Sequence, residues 1–440
     1  MICGGVLLVF SILFGGASRE HVLRLALVEL AALPVLVLAL NRLFESRQWK
    51  SHALLLALLA TLPALVLLQL APLPPGIWTN LPGREQAVLG LEITGVTAGW
   101  APISLTPDLT WASFLALLPP AAAVLACLTA PADMRRRAIG LYLILALASI
   151  CLGIAQWASR SEVLYLYRTT DAGNIVGFFS NRNHLATLLL MLLPFAAAFL
   201  GQAVKVGDRS PRLWGLACLI GLMIVSLAVI RSRAGVILAL PALTGSFAIG
   251  VAAAGRFRLD RKVLAAGLAA VLAVGVIASL GLPRIQDRFG VSLVEGRADA
   301  WRVAAGAAAA FLPIGSGVGS FDTVYRSVEP LEDLDSTFLN HAHNEYLETW
   351  LETGWFGIIW LGAFLFWWGR RSLAAWRTSP GTPRTMPRAA SVALLILLLH
   401  SAGDYPVRTE TIAVLAAVCV AILEFAGRKA GQSRRAAAVA

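Results

Sequence analysis

Long apolar runs recur along the whole chain of 440 residues and constrain its fold more than any other feature. The runs are about 17–22 residues long, which is the length that a helix needs to cross a hydrocarbon core about 30 Å thick. A helix also satisfies its backbone hydrogen bonds internally, as that core requires. We therefore predict an all-α polytopic membrane protein with about 12 transmembrane helices. The predicted spans are residues 2–17, 22–40, 53–70, 111–130, 138–158, 184–201, 213–230, 234–254, 263–281, 352–369, 389–403 and 411–426.

The composition agrees with this class of protein. The chain is 58% hydrophobic and 14% charged, with a mean hydropathy of +0.75, whereas soluble domains carry about 25% charged residues. The first run has no basic leader, so we expect an uncleaved anchor rather than a signal peptide. The five cysteines form no Cys-x-x-Cys pair and indicate neither a disulfide framework nor a zinc site. We predict one integral membrane domain over residues 1–440, with a long, helix-containing outer loop at 282–351 between spans nine and ten.

The distribution of basic residues predicts the orientation. Arginines and lysines concentrate in alternate loops, for example at 135–137, 205–212 and 370–388. Loops of this kind face the cytoplasm, so we expect both termini to be cytoplasmic and the 282–351 loop to lie on the other side. The same asymmetry explains the net charge of +11 and the pI near 10.0, and we expect no nucleic-acid partner.

Two pairs of arginines fall on the predicted outer side, against the general sorting of basic residues. Arg231 and Arg233 flank one serine in a tight turn between two spans. Snorkelling to lipid headgroups would explain them, but two arginines at one short turn favour an anion-binding site. Arg297 and Arg302 lie in the long outer loop at a helical spacing. A solvated helix face with salt bridges to neighbours such as Asp299 is the alternative for this second pair.

The segment 340–357 places histidines and glutamates directly before an apolar span. Histidine is the side chain best suited to move a proton near neutral pH. Asn340 is predicted to cap the helix that enters this span, with His343 in its first turn. A helix N-terminus disfavours imidazolium, so His343 should stay neutral and accept a proton. Simple capping by His343 is the alternative. Three glutamates should share one side of this helix: Glu345, Glu348 and Glu352.

His341 has two possible roles. Together with His343 it could bind a metal ion, but the spacing fixes no third ligand. We therefore expect no metal, and we expect His341 to be a bystander or a partner of His343.

Other polar segments give weaker signals. Two asparagines flank an arginine in 181–184, where capping accounts for only one of them. The run 315–319 is rich in glycine but lacks the Lys-Ser/Thr ending of a phosphate loop, so we predict a turn. The four polar residues at the outer end of the eleventh span are consistent with a structural ion pair or with a functional site. They are His400, Asp404, Tyr405 and Arg408.

These observations together favour one class of substrate. Outer-face arginines beside a histidine, without a recognisable metal or nucleotide motif, suit a phosphate-bearing substrate that reaches the site through the membrane. A sugar linked to a polyprenyl diphosphate has these properties. Arginine binds phosphate oxygens bidentately and remains charged at any working pH, so it could neutralise a departing diphosphate.

Several short motifs, in their order along the chain, resemble those of the bacterial O-antigen ligase and O-antigen polymerase superfamily of membrane glycosyltransferases. The similarity covers most of the chain and is strongest from about residue 174 to about residue 410. The motifs are Gly177–His184, Ser232–Gly235, Gly296–Arg297 with Trp301, Pro313–Phe321, His343–Leu347 with Glu352–Gly354 and Gly357, and His400 with Asp404–Arg408.

This resemblance implies a GT-C-like membrane fold in the bacterial inner membrane, with an active site that faces the periplasm. It implies metal-independent transfer, without a cofactor, of a glycan from undecaprenyl diphosphate to a saccharide acceptor. It also implies that His343 activates the acceptor hydroxyl, while Arg233 and Arg297 hold the diphosphate, with Arg231 as a neighbour that could share this role. The supporting residues would be Asn183, Asn344, His341, Arg302, Glu352, Asp404 and Arg408.

Three functions remain open at this point. A ligase would pass finished glycan to lipid A–core or another surface acceptor, and the motifs favour it slightly. A polymerase of the same superfamily would pass the growing chain to the next lipid-linked repeat unit. A flippase or transporter of lipid-linked glycan is the more distant alternative. A transporter should carry ionisable residues near the bilayer midplane, whereas the charges of this chain gather at the outer ends of the predicted spans.

Overall fold

The computed structural model describes residues 2–18, 21–159, 162–167, 173–255, 292–333, 339–377 and 384–426, and the described chain is predominantly helical. The first helices are α1 (Ile2–Phe14), α2 (Val22–Glu45), α3 (Ala53–Leu68), α4 (Pro75–Trp78), α5 (Glu85–Thr94), α6 (Pro107–Leu115), α7 (Leu118–Thr129) and α8 (Ala132–Ser159). Then follow α9 (Arg182–Lys205), α10 (Pro211–Ile230), α11 (Arg233–Ala253), α12 (Ser292–Ala310), α13 (Phe321–Val328), α14 (Glu345–Trp376), α15 (Thr385–His400) and α16 (Glu410–Glu424). Short 3-10 helices occur at Gln48–His52, Glu162–Leu164, Leu331–Asp333 and Pro406–Arg408. The strands β1 (Pro72–Leu73) and β2 (Ala101–Pro102) form one antiparallel pair.

Eight helical stretches of the described residues are long and apolar enough to cross a membrane. They are Val22–Glu45, Gln48–Leu68, Pro107–Thr129, Ala132–Ser159, Arg182–Lys205, Pro211–Ile230, Arg233–Ala253 and Glu345–Trp376. The predicted spans 2–17, 389–403 and 411–426 correspond to the shorter helices α1, α15 and α16. The predicted span 263–281 lies outside the described residues. The class of all-α polytopic membrane protein is therefore confirmed, and the count of twelve spans stays a prediction.

Helix α9 forms the centre of the bundle. It is apolar on every side, and nearly all its residues from His184 to Phe199 are buried, as expected of a helix that is surrounded by others. Helices α10, α11 and α15 pack on it. Helices α15 and α16 are short, but their side chains are almost all buried within the bundle.

Serine and asparagine caps fix where several helices begin. The side chains of Asn181 and Ser232 accept hydrogen bonds from backbone N–H groups in the first turns of α9 and α11. Ser210 does the same for α10, which has proline at its first position. Such caps satisfy N–H groups that have no partner inside the helix.

Part of the predicted outer loop at 282–351 forms a small second core. Its described residues include α12 and α13, which pack with the first turns of α14. Phe311, Phe321, Val324 and Leu351 are among the buried apolar residues of this core. This segment therefore contains helices of its own, while its place as a periplasmic loop stays a prediction.

Candidate functional site

The ends of several helices converge around one polar cluster. The N-termini of α9, α11 and α14 lie at the same end of the bundle as the C-terminus of α15. Contacts show this directly: Thr187 of α9 hydrogen-bonds His400 of α15 at 2.7 Å, and Gly235 of α11 lies against Ala186 of α9. The loop after α1 joins them, because Gly16 accepts a hydrogen bond from the backbone of Ser180 at 3.1 Å.

Asp404, in the loop between α15 and α16, is the centre of this cluster. Its Oδ2 accepts a hydrogen bond from Nδ2 of Asn183 at 2.7 Å. Its Oδ1 lies 3.1 Å from Nδ1 of His343 and accepts a bond from the backbone N–H of Tyr405 at 2.9 Å. The structure therefore brings together three predicted site residues from distant parts of the chain.

The charge state of Asp404 fixes the role of each nitrogen of His343. Burial by itself raises the pKa of the Asp404 carboxyl, but the hydrogen bond from His343 and the charges of the surrounding histidines together lower it below its usual range. The ionised carboxylate can only accept, so Nδ1 of His343 carries the proton. In the part of the chain that the structure describes, Nδ1 is the only hydrogen-bonded nitrogen of this ring. In the neutral form of the ring, Nε2 has a lone pair that can accept a proton.

His343 precedes its helix and does not belong to it, so the prediction of Asn340 as the N-cap is wrong. Asn344 is the cap: its side chain accepts hydrogen bonds from the backbone N–H groups of Tyr346 and Leu347, at 3.1 and 3.2 Å. His343 has a positive φ of 49°, a conformation that is uncommon for residues other than glycine. Its position is therefore set by Asp404 and by the ring of Tyr405, 4.9 Å away between centroids, rather than by a first helical turn.

His341 has a different environment. It is buried, and both its ring nitrogens have partners: Nδ1 lies 2.8 Å from Oε1 of Glu348, and Nε2 lies 3.3 Å from the hydroxyl of Ser18. Its ring also packs against Tyr405 at 4.2 Å between centroids. The two histidines thus pair with different carboxylates, and His341 has no nitrogen left for a substrate.

Arg408 neutralises the three glutamates of α14. Its guanidinium lies 3.5 Å from Glu345, 3.1 Å from Glu348 and 3.0 Å from Glu352. These glutamates line one side of the helix, as predicted. Burial acts to lower the pKa of Arg408, but the three carboxylates raise it above its ordinary value. Arg408 therefore carries a permanent charge that ties the 401–409 loop to the head of α14.

The glycine-rich run at 315–319 binds an anion of the protein itself. Gly315, Gly317 and Gly319 all have positive φ angles. The backbone N–H of Gly319 donates to Oε1 of Glu352 at 2.8 Å, and that of Phe321 donates to the same oxygen at 3.4 Å. The run forms a tight turn, as predicted, and its N–H groups hold a carboxylate.

A break in α14 makes this contact possible. Gly354 adopts φ 57° and ψ −142°, a region that is essentially restricted to glycine. Because of the break, the N–H of Trp355 bonds to Pro313 at 3.0 Å and leaves the carbonyl of Leu351 free. That carbonyl accepts the backbone N–H of Ser316 at 3.0 Å. The predicted span 352–369 is therefore part of a longer, broken helix.

Helix α12 is attached to the histidine loop through Trp301. Its indole Nε1 donates to the carbonyl of Ala342, between the two histidines, at 2.7 Å. Arg297 lies in the same helix, but its side chain is outside the described residues. Arg302 is largely exposed and forms a salt bridge with Asp299. This contact agrees with the alternative of a solvated helix face for Arg302.

The turn between α10 and α11 lies at the same end of the bundle. Arg231 is exposed and ends α10 with a positive φ of 55°. Ser232 is buried and caps α11, and its hydroxyl accepts the N–H of Gly235 at 3.0 Å. Arg233 is the first residue of α11. Because the start of α11 packs against the first turns of α9, both arginines lie at the helix end next to Asn183, which holds Asp404.

Several residues that complete the cluster had no assigned role in the sequence analysis, although it named Tyr405. Ser18 was given no role, although it lies against His341. Gln69 bridges two segments, because its amide donates to the carbonyl of Glu352 and accepts from Val318, at 2.8 and 2.9 Å. Tyr405 packs against three histidines. Of these residues, only Tyr405 was recognisable in the sequence as a site candidate, because it directly follows Asp404.

The fold and site together define a multi-pass, all-helical membrane protein with a polar site at one end of its helices. Residues 216–362 match the family model described as O-Antigen ligase. This match supports the O-antigen ligase superfamily of membrane enzymes, which the sequence resemblance predicted. The matched region contains Arg231, Arg233, His341, His343 and Glu352. A search of curated proteins found no match.

Proposed function

We propose that this protein is a glycosyltransferase that moves a glycan from undecaprenyl diphosphate to a sugar hydroxyl, with His343 as the general base. The family supports a lipid-linked glycan donor and a polysaccharide acceptor. The reaction would take place at the periplasmic face of the bacterial inner membrane, where the positive-inside rule puts the converging helix ends.

One observation carries the proposal. His343 pairs with an ionised carboxylate through Nδ1, is 20% exposed, and leaves Nε2 for a substrate. This is the arrangement by which a buried carboxylate orients a histidine base and stabilises the imidazolium that forms. His341, buried and bonded at both nitrogens, lacks the exposure that the reaction needs.

The proposed step exchanges one C–O bond for another and moves one proton. The acceptor oxygen attacks the anomeric carbon of the donor while its proton passes to Nε2 of His343. The bond between that carbon and the phosphate oxygen breaks, and undecaprenyl diphosphate leaves with the bonding electrons. A single displacement of this kind inverts the anomeric centre. The proton on His343 is then released to water, which restores the base.

The diphosphate needs positive charge to leave. Arg231 and Arg233 lie at the same end of the bundle as the Asp404 cluster. Arg297 lies in α12, the helix that Trp301 attaches to the histidine loop. We assign the diphosphate to these three arginines, because the guanidinium fork matches phosphate oxygens and needs no metal ion. Arg408 is excluded from this role, since its charge is already shared by three glutamates.

The two histidines give a matched test. We expect His343→Gln to reduce transfer at least about 100-fold, which is the usual contribution of a general base. His341→Gln keeps a hydrogen-bonding side chain in the buried position and should retain transfer within about tenfold. Purified variants would be assayed with lipid-linked glycan after their yield and melting temperature are shown to be normal. Transfer by His343→Gln at the wild-type rate would exclude the general-base role.

The acceptor decides between ligase and polymerase. The motifs favour a ligase that glycosylates lipid A–core or another surface polysaccharide, so we expect glycan on such an acceptor when both are offered. Longer lipid-linked chains, formed from lipid-linked repeat units alone, would instead identify a polymerase. Separation of the products by mass distinguishes the two.

A further inference from the structure

An open groove lies far from His341 and His343, between α8 and α10. Both helices pack on α9, and the space between them forms an open groove of about 720 Å³. Phe199 of α9 lies in its lining, and the sides are mostly apolar, with Leu141, Ile144, Leu147 and Leu216 among the lining residues.

One end of this groove is basic. Arg136, Arg137 and Arg212 line it, together with one acid, Asp133. The carboxylate of Asp133 forms a salt bridge with Arg137 at 3.7 Å, and not with Arg136 or Arg212. The guanidinium of Arg136 lies over the ring of Phe199 at 5.1 Å. Arg136 and Arg212 repel each other electrostatically, and neither forms a salt bridge with a described residue.

The dimensions of the groove match half of a bilayer. Its lining on α8 runs from Asp133 to Leu147, a rise of about 21 Å along the helix. Half of a hydrocarbon core is about 15 Å thick, so the groove reaches from the headgroup level to about the middle of the membrane. Ile144 and Leu147 are exposed apolar side chains along this path.

The groove lies at the other end of the bundle from the candidate active site. Arg182 begins α9 beside the Asp404 cluster, whereas Phe199 is 17 residues further along, a distance of about 26 Å. Its basic end therefore belongs to the opposite leaflet, which carries the basic loops that predict the cytoplasmic side. Binding here is independent of glycan transfer, so neither proposal depends on the other.

We propose that this groove binds one anionic phospholipid, with its phosphate between Arg136 and Arg212 and an acyl chain along the groove towards Leu147. Neither arginine forms a salt bridge with a described carboxylate, so the two like charges together suit an anion, and the apolar floor below them suits a hydrocarbon chain. Basic recesses between transmembrane helices on the cytoplasmic side are a common form of phospholipid site.

Native mass spectrometry of the purified full-length protein tests this proposal. Detergent-solubilised, delipidated protein would be titrated with phosphatidylglycerol or with phosphatidylcholine. Each arginine near the headgroup contributes about fivefold in affinity, so we expect a preference of about 25-fold for phosphatidylglycerol. The double substitution Arg136→Gln and Arg212→Gln should remove it. The matched control, Lys205→Gln and Arg209→Gln, removes two nearby charges that do not line the groove and should preserve it.

A second variant separates the groove from general surface charge. Gly215 lines the groove, and open space lies where its side chain would be, so Gly215→Phe fills the groove and keeps every arginine. We expect this variant to lose the preference as well. Equal binding of the two lipids, an unchanged preference in either groove variant, or loss in the control would each overturn the proposal. If the double arginine variant does not fold, the result with Gly215→Phe decides.

Discussion

At the scale of single residues, Asp404 decides the geometry of the site. It binds His343, 61 residues before it, and Asn183, 221 residues before it. Its carboxyl holds the proton of His343 on Nδ1 and so leaves Nε2 for the acceptor in the proposed reaction. Because its pKa lies below the usual range, the carboxyl remains ionised throughout the neutral pH range.

Replacement of this carboxylate tests its role. Asp404→Asn keeps the size of the side chain but removes the charge, so the imidazolium that forms during transfer loses its stabilising partner. We expect transfer to fall at least about 100-fold, and we expect the loss to persist across neutral pH. Asn183→Ala is the matched control, since it removes another bond to Asp404 but leaves the charge, and it should reduce transfer less. Equal losses in both variants would indicate a purely structural role for Asp404.

At the scale of elements, the broken helix α14 positions the histidine loop. Its first nine residues carry the glutamates that bind Arg408. The part after Gly354 is about 33 Å long and can itself cross the membrane. The break frees the carbonyl groups that hold the 313–319 turn. That turn, through Gly319, holds the side chain of Glu352.

Two glycines of α14 provide a test of this break. A Cβ atom at Gly354 would lie 2.1 Å from the carbonyl oxygen of Pro313, and alanine would also be strained by about 1–3 kcal/mol at this φ and ψ. We therefore expect Gly354→Ala to lower the melting temperature and the rate of transfer. Gly362→Ala meets no atom within 4 Å and should leave both unchanged. Indistinguishable melting curves for the two variants would contradict the proposed importance of the break.

The position of the helix start shows what local signals cannot decide. Asn340 and Asn344 are equally good caps by residue type. Asn344 is used because the first turn of α14 is fixed by the neighbouring loop: the N–H of Glu345 donates to Ser401 at 2.8 Å. The cap prediction failed because this contact joins segments that are far apart in the chain.

At the scale of the whole molecule, two buried polar clusters lie at opposite ends of the bundle. One is the Asp404 cluster. In the other, Glu424 of α16 pairs with Arg371 at 2.7 Å and with His52 at 3.3 Å. The basic groove between α8 and α10 shares this second end, and the charge distribution predicts that this end faces the cytoplasm.

Cysteine labelling tests this orientation. Native cysteines would be replaced, and single cysteines introduced at exposed positions, as Ala402→Cys near Asp404 and Arg47→Cys at the other end. A maleimide that cannot cross the inner membrane should label Ala402→Cys in cells with a permeabilised outer membrane. Arg47→Cys should react only after lysis. The reverse pattern would place the histidine site in the cytoplasm and would contradict the proposed topology.

The sequence by itself determined the membrane class and most of the helical spans, and it supplied the residues that we propose for the chemistry. Hydropathy over about 20 residues is a local property, and so is the chemical character of His343 or Arg233. The family match later confirmed the resemblance that these motifs suggested. The glutamate side of α14 was also predictable, because it follows from the helical period alone.

Only the tertiary structure decided which polar residues meet. It paired His343 with Asp404 and His341 with Glu348, and it used Arg408 to neutralise glutamates rather than a substrate. These contacts depend on how helix ends converge through the packing of α9 with its neighbours. No local pattern encodes such packing, because the contacting residues are separated by up to hundreds of positions along the chain.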